Sequence, residues 1–121
     1  MSLIALPQST PATIYGLYEV LSSVGVGWAE VTGEGEGKPL MDVQIVSEDG
    51  ENFSSAIGTP IAPHASIRET NRTDIIIATD LALSPDPDLN YAWPRMTDWV
   101  RGQFEQGATL CSVCSGTVFI A

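Results

Sequence analysis

Two cysteines, one histidine and a group of loop aspartates are the side chains with chemistry to offer in this sequence. Cys114 stands out by its neighbours. The stretch Gly107-Ala-Thr-Leu-Cys-Ser-Val-Cys-Ser-Gly-Thr-Val-Phe-Ile-Ala121 reads as a glycine stop after a helix, a short apolar strand, and a small-residue turn into a further helix. Cys114 falls at that turn, with Ser115 and Gly116 directly after it. A sharp strand-to-helix turn lifts its central side chain clear of the sheet, and its crowded backbone demands small neighbours. The next helix then aims free N–H groups and its positive dipole end at the sulfur, which favours thiolate over thiol. This is a nucleophile elbow with sulfur in place of oxygen. Such a thiolate can attack an electrophilic carbon or contact a small ligand, although free cysteine is also a common buried small hydrophobe.

The remaining candidates are weaker. Cys111 and Cys114 form a C-x-x-C, but redox pairs of that spacing open a helix, whereas Cys111 falls inside a strand pattern. Two thiols and one distant histidine do not make a four-ligand metal site, so no metal and no cofactor is expected. His64, in a Pro-His loop, reads as a surface histidine, since nothing in the sequence brings it to Cys114 as a base. Asp80, Asp86 and Asp88 lack the glycine and terminal glutamate of a calcium loop and read as solvated carboxylates. Trp93 and Trp99 suit helix packing, and Tyr91 and Trp93 could also line a pocket rim.

The elements that must position Cys114 follow from periodicity. Residues 2–6 are a brief apolar run that suits a buried parallel strand. Thr10 is a good N-cap and Pro11 a good first helical residue. Ile14, Leu17, Tyr18 and Leu21 then mark one helical face, with Gly25 as the closing C′ residue. Residues 28–32 read as an extension of this unit, and the glycine–glutamate stretch 33–39 as a mobile acidic loop. Residues 40–46 are strand-like, and Asp49-Gly50 predicts a hairpin turn with 53–57 as the returning strand. Breaks follow at 58–60 and 62–64. Asp74-Ile-Ile-Ile-Ala78 predicts a strand buried on both faces, and the connection over 79–90 then lies at the carboxyl edge, where open α/β sheets bind ligands. Pro94 starts a helix whose apolar stripe is Met96, Trp99, Val100 and Phe104, Gly107 stops it, and 109–113 is the strand that delivers Cys114. The order predicts an α/β fold: a flavodoxin-like three-layer α/β/α sandwich with a mostly parallel sheet. The final helix is cut after about one turn, so the fold is expected to be incomplete within this chain.

Bulk composition narrows the function classes. With 121 residues the chain makes one domain at most, and 44% hydrophobic content describes a globular protein. Five Lys+Arg against fifteen Asp+Glu give a net charge of −10, which repels DNA and anionic membrane surfaces. No apolar run approaches a membrane span, no basic leader is present, and the cysteines are not spread as in a disulfide scaffold. The expected location is cytoplasmic, which makes the sequons at Asn52 and Asn71 coincidental.

Val113-Cys-Ser-Gly116 resembles the (I/V)-C-(T/S)-G elbow of the ThiJ/PfpI branch of the class I glutamine amidotransferase-like superfamily. Asp74-Ile-Ile-Ile is similar to the strand before that family's oxyanion-side loop. Thr13-Ile-Tyr-Gly-Leu-Tyr-Glu-Val-Leu21 is similar to its first-helix motif D-x-x-G-P-x-E-V-F, and Val46-Ser-Glu-Asp-Gly50 and Thr59-Pro-Ile-Ala-Pro63 to stretches between. The nearest resemblance is to the N-terminal sensor domain of AraC-type transcriptional regulators of the GlxA kind. It implies that residues 1–121 are the N-terminal part of one such domain, which binds an unknown small molecule. It also implies a homodimer, with DNA reached only through a C-terminal domain outside this chain. Catalytic members carry a carboxylate where this chain has Thr13, and a Pro-Gly-Gly where it has Thr79-Asp80-Leu81; the family histidine falls beyond Ala121. The resemblance therefore implies a non-catalytic sensor, with Cys114 as nucleophile or ligand contact and Thr13, Asp80, Leu81, Ser115 and Gly116 as ligand-binding positions. The alternative is a cysteine-dependent hydrolase, hydratase or glyoxalase-like enzyme that uses Cys114.

Overall fold

The computed structural model describes residues 1–85 and 93–121. Asp86, Asp88 and Tyr91, singled out above, lie outside the described residues. The elements in chain order are β1 (Ser2–Ile4), α1 (Pro11–Ser22), α2 (Gly27–Thr32), β2 (Gln44–Ser47), β3 (Phe53–Ser54), β4 (Pro60–Ile61), β5 (Ala65–Ser66), β6 (Ile75–Ala78), α3 (Pro94–Glu105), β7 (Thr109–Ser112) and α4 (Gly116–Ile120).

Five strands form one parallel sheet in the order β5-β2-β1-β6-β7. β1 is its middle strand. Leu3 pairs with Ile45 on one side and Ile77 on the other. Successive side chains of a strand point to opposite faces, and this chain uses both. Leu3 and Ala5 join Ile14, Val43, Ile45 and Ile61 in the core beneath α1. Ile4 and Leu6 join Ile76, Met96, Val100 and Phe119 beneath α3 and α4. Two cores, one on each face, make the flavodoxin-like α/β/α sandwich that the sequence predicts. Each fully buried leucine or isoleucine contributes about 1.5–3 kcal/mol, so Leu3 and Ile4 of β1, one on each face, stabilise both cores.

The helices start as their sequences dictate. Thr10 occupies the N-cap of α1 in extended conformation and Pro11 follows, but the hydroxyl makes no cap bond. The Thr10 carbonyl instead accepts from Thr13 and Ile14. The helix closes at Ser23, so Gly25 (φ 90°) is not its C′ residue. Gly25 is needed for another reason: a Cβ there would collide with the Lys38 carbonyl and the Leu40 side chain. The acidic loop thus returns to the helix, with Lys38 N–H on the Gly25 carbonyl and Leu40 N–H on that of Val24 (3.0 and 3.1 Å).

Several expectations need correction. Residues 53–54 do not return along β2; they pair antiparallel with Pro60–Ile61 in a separate two-stranded sheet. The Asp49-Gly50 turn forms, with Gly50 N–H on Ser47 Oγ, but its outgoing chain packs across Ser66 instead of folding back. The stretch just after the break at 62–64, where the sequence marks no element, supplies β5, a two-residue parallel edge beside β2. On α3 the stripe is rotated. Met96 and Val100 are buried, but Phe104 is exposed and Gln103 is buried in its stead. Gln103 Oε1 accepts Thr73 N–H at 2.9 Å and its Nε2 donates to the Asn71 carbonyl at 3.1 Å. Finally, β6 is fully buried on one face only: Ile76 and Ala78 are sealed, whereas Ile75 and Ile77 are half-buried.

Candidate functional site

In a parallel sheet all strands end at the same edge, so the segments leaving β1, β6 and β7 converge there. The β1 exit is fixed first. Ser9 is buried, its Oγ accepts Leu6 N–H at 3.0 Å, and its backbone bridges antiparallel to Leu81. Thr10 N–H donates to the Asp80 carbonyl at 3.1 Å, and Ala82 N–H to that of Gln8 at 2.8 Å. Thr79 is buried and its hydroxyl donates to the Ile4 carbonyl. The loop after β6 is thereby laced to the loop after β1.

The β7 exit is the elbow. Cys114 has φ 53°, and among the described residues no other non-glycine has positive φ. A non-glycine residue in that region costs on the order of 1–3 kcal/mol and persists only where its surroundings enforce it. The surroundings do so twice. Ser115 Oγ accepts Leu81 N–H and donates to the Leu81 carbonyl, both at 2.8 Å, pinning the elbow to the post-β6 loop. Gly116 lies so close to β6 that a Cβ would stand 2.3 Å from the Ala78 carbonyl oxygen and 2.5 Å from that of Thr79. The Cys114 side chain itself is exposed. The strand-to-helix bend with a projecting thiol is therefore present.

The other predicted positions fall around this bend unequally. Asp80 and Leu81 form the neighbouring wall. Asp80 is half-buried, and its Oδ1 is sealed from solvent with no hydrogen-bond partner. A buried carboxylate oxygen in that condition is a costly group awaiting a donor. Thr13 sits on the first turn of α1, and Thr10, one turn before it, bonds Asp80. Ser115 and Gly116 serve as buttresses: the hydroxyl of Ser115 is spent on Leu81 and Gly116 is buried. That use of Leu81 N–H also removes one donor an oxyanion would need.

Cys111 is exposed on β7, inside regular strand. His64 is exposed, but it has a structural task. Its Nδ1 accepts Ile45 N–H at 3.0 Å, its own N–H donates to the Ile45 carbonyl at 2.8 Å, and its ring stacks on Tyr18. Ile45 lies on β2, three strand spacings or about 14 Å from β7, which removes His64 as a base for Cys114. Among the described residues no three His, Cys, Asp or Glu side chains gather as a metal site.

Gln8 carries no signal in the sequence that marks it for a role. Its Oε1 accepts the indole N–H of Trp93 at 3.1 Å, and Trp93 lies against Phe119 of α4 with ring centroids 5.6 Å apart. Trp93 therefore spans the β1 exit and α4. No local signal could pair residues 85 positions apart.

No family model matches the chain, and no curated protein matches it. A solved structure does. A protein of Vibrio parahaemolyticus, described as a candidate transcriptional regulator, superimposes with a TM-score of 0.71 at 19% identity. The match covers 98% of this chain and 58% of that one. The two share a fold. The chain spans little more than half the length of that neighbour. No helix among the described residues is long and apolar enough to cross a membrane.

Proposed function

We propose that this chain is a small-molecule-sensing part of a transcriptional regulator, of the amidotransferase-like kind that its elbow resembles. The observation that carries the reading is the Cys114 bend: an exposed thiol on strained backbone, held by Ser115 and Gly116 against the loop that carries Asp80 and Leu81. The ligand would lie at the carboxyl edge against Cys114, Asp80 and Thr13. Two features favour sensing over catalysis. Thr13 stands where the resemblance implies a catalytic carboxylate, and Leu81 N–H is already engaged by Ser115. The fold shared with a protein described as a candidate regulator agrees with this reading. On the same reading, residues 1–121 are the N-terminal part of a longer domain. The groove of about 260 Å³ between α3, β7 and α4, lined by Phe104, Leu110 and Ile120, is a surface that the rest of such a domain would cover.

The test is a thermal-shift screen of the chain against small amines, amides and amino acids, repeated on Asp80→Asn and Cys114→Ala. A hit should raise the midpoint of the unmodified protein and lose at least half of that shift in Asp80→Asn. Hits that act equally on all three proteins place the ligand elsewhere and reject the reading.

A second reading, a cysteine-dependent hydrolase or lyase, is favoured by the same exposed thiol. It requires a covalent adduct at Cys114 during turnover. Intact-mass spectrometry with activated esters and α-oxoaldehydes that shows no Cys114-dependent adduct or product would remove it.

A further inference from the structure

A second surface, remote in sequence from the Cys114 bend, carries an inference independent of the ligand reading. The short helix α2 presents Trp28 and Val31 outward, 71% and 86% exposed. Three residues apart on a helix, they share one face. Leu40, also 71% exposed, is brought beside that helix by the pairing of its N–H with Val24 and its packing at Gly25. A tryptophan left this open forgoes one of the largest burial gains any side chain offers, and tryptophans so placed are typical interface anchors.

The face is ordered by its own backbone. Thr32 Oγ1 donates to the Trp28 carbonyl at 2.8 Å and accepts Glu34 N–H at 3.1 Å. Gly33, left-handed at φ 71°, caps the helix by donating its N–H to the Ala29 carbonyl. Gly37 then runs back against Ala29, where a Cβ would stand 3.3 Å from that methyl group. The exposed aromatic therefore sits on a built platform.

Its charge identifies what it fits. Glu30 is on the helix, and Glu34 and Glu36 follow its C-terminal end, against the single Lys38. The helix has no basic residue in its last turn, so carboxylates stand at the negative end of the dipole, where a cation belongs. Two such faces brought together would oppose carboxylate to carboxylate, which disfavours a second copy of this chain. Anionic lipid or nucleic acid is repelled for the same reason.

We propose that the α2 face, centred on Trp28 and Val31 and bordered by Glu34 and Glu36 where the chain leaves the helix, docks a cationic amphipathic helix of a partner protein. The partner's apolar stripe would cover Trp28 while its flanking lysines or arginines meet the carboxylates and the C-terminal carbonyls of α2.

The experiment titrates the isotope-labelled chain with an amphipathic leucine/lysine peptide of about four helical turns, and with its leucine/glutamate counterpart. Amide shifts should cluster over residues 26–40 with the basic peptide alone. Trp28→Ala should weaken binding at least tenfold, Trp28→Phe should restore most of it, and Glu34→Gln with Glu36→Gln should reduce its salt dependence. Because Trp28 is largely exposed, circular dichroism should show Trp28→Ala folded; Val31→Ser is the second variant if it is not. Equal binding by wild type and the variants, shifts centred on the α3–α4 groove, or a concentration-dependent dimer that Trp28→Ala dissolves each overturns the proposal, the last by giving the face to a second copy.

Discussion

At the residue scale the account rests on backbone conformation. Cys114 adopts a φ that glycine would take without strain, so Cys114→Gly should stabilise the fold by about 1 kcal/mol in chemical denaturation, net of glycine's greater freedom when unfolded. A loss of stability would mean that the thiol makes favourable contacts that outweigh the strain. Gly116→Ala has the opposite expectation. Its Cβ meets backbone oxygens that cannot move independently, and a cost of about 2–3 kcal/mol is expected. Glu69 offers a pH prediction. Ser66 N–H and then Ser66 Oγ–H donate to Glu69 Oε2, at 2.9 and 2.8 Å, and hold its carboxyl below the ordinary 4.5. A folded pKa lowered in this way contributes stability above the unfolded value and loses it as pH falls through the folded one. The carboxyl carbon shift of Glu69 should titrate below 4.5, and Ser66→Ala should raise it partway because the backbone donor survives. This S-x-x-E capping pattern was open to sequence inspection and was missed. The small residues around Cys114 were legible because crowding there selects residue type directly. Ser115's bond to Leu81 was not, since it joins positions 34 apart.

At the element scale, legibility followed length and periodicity. α1, α3, β1, β6 and β7 each carry either a helical stripe or a compact apolar run, and each formed within a few residues of expectation. β5 has two residues, too few to show a period. The hairpin was misplaced because Asp49-Gly50 specifies a turn without saying which strand receives the outgoing chain. On α3, a glutamine in an apolar position reads as a solvent face until its partners are known. Gln103→Leu tests that reversal. It keeps the volume but leaves the Thr73 N–H without an acceptor, so a loss of about 1–3 kcal/mol in urea unfolding is expected. Neutral behaviour would mean that water or another group satisfies Thr73.

At the scale of the whole molecule, the two faces of one sheet hold two cores, and the loops joining them meet at the carboxyl edge. The lacing of 8–10 to 80–82 and of Ser115 to Leu81 couples the exits of three strands. Movement at the carboxyl edge would therefore be felt on both faces, which the proposed sensing role requires. The most direct measurement of the central claim uses the protein's own two thiols. Cys111 and Cys114 are both exposed and only three residues apart, but one lies on the edge strand and the other at the bend. Alkylation by iodoacetamide, followed residue by residue by peptide mass spectrometry, is run with and without a saturating hit from the thermal-shift screen. The account predicts at least tenfold protection of Cys114 with the Cys111 rate unchanged. Equal rates at Cys114 with and without the bound compound, or equal protection of both thiols, would contradict it.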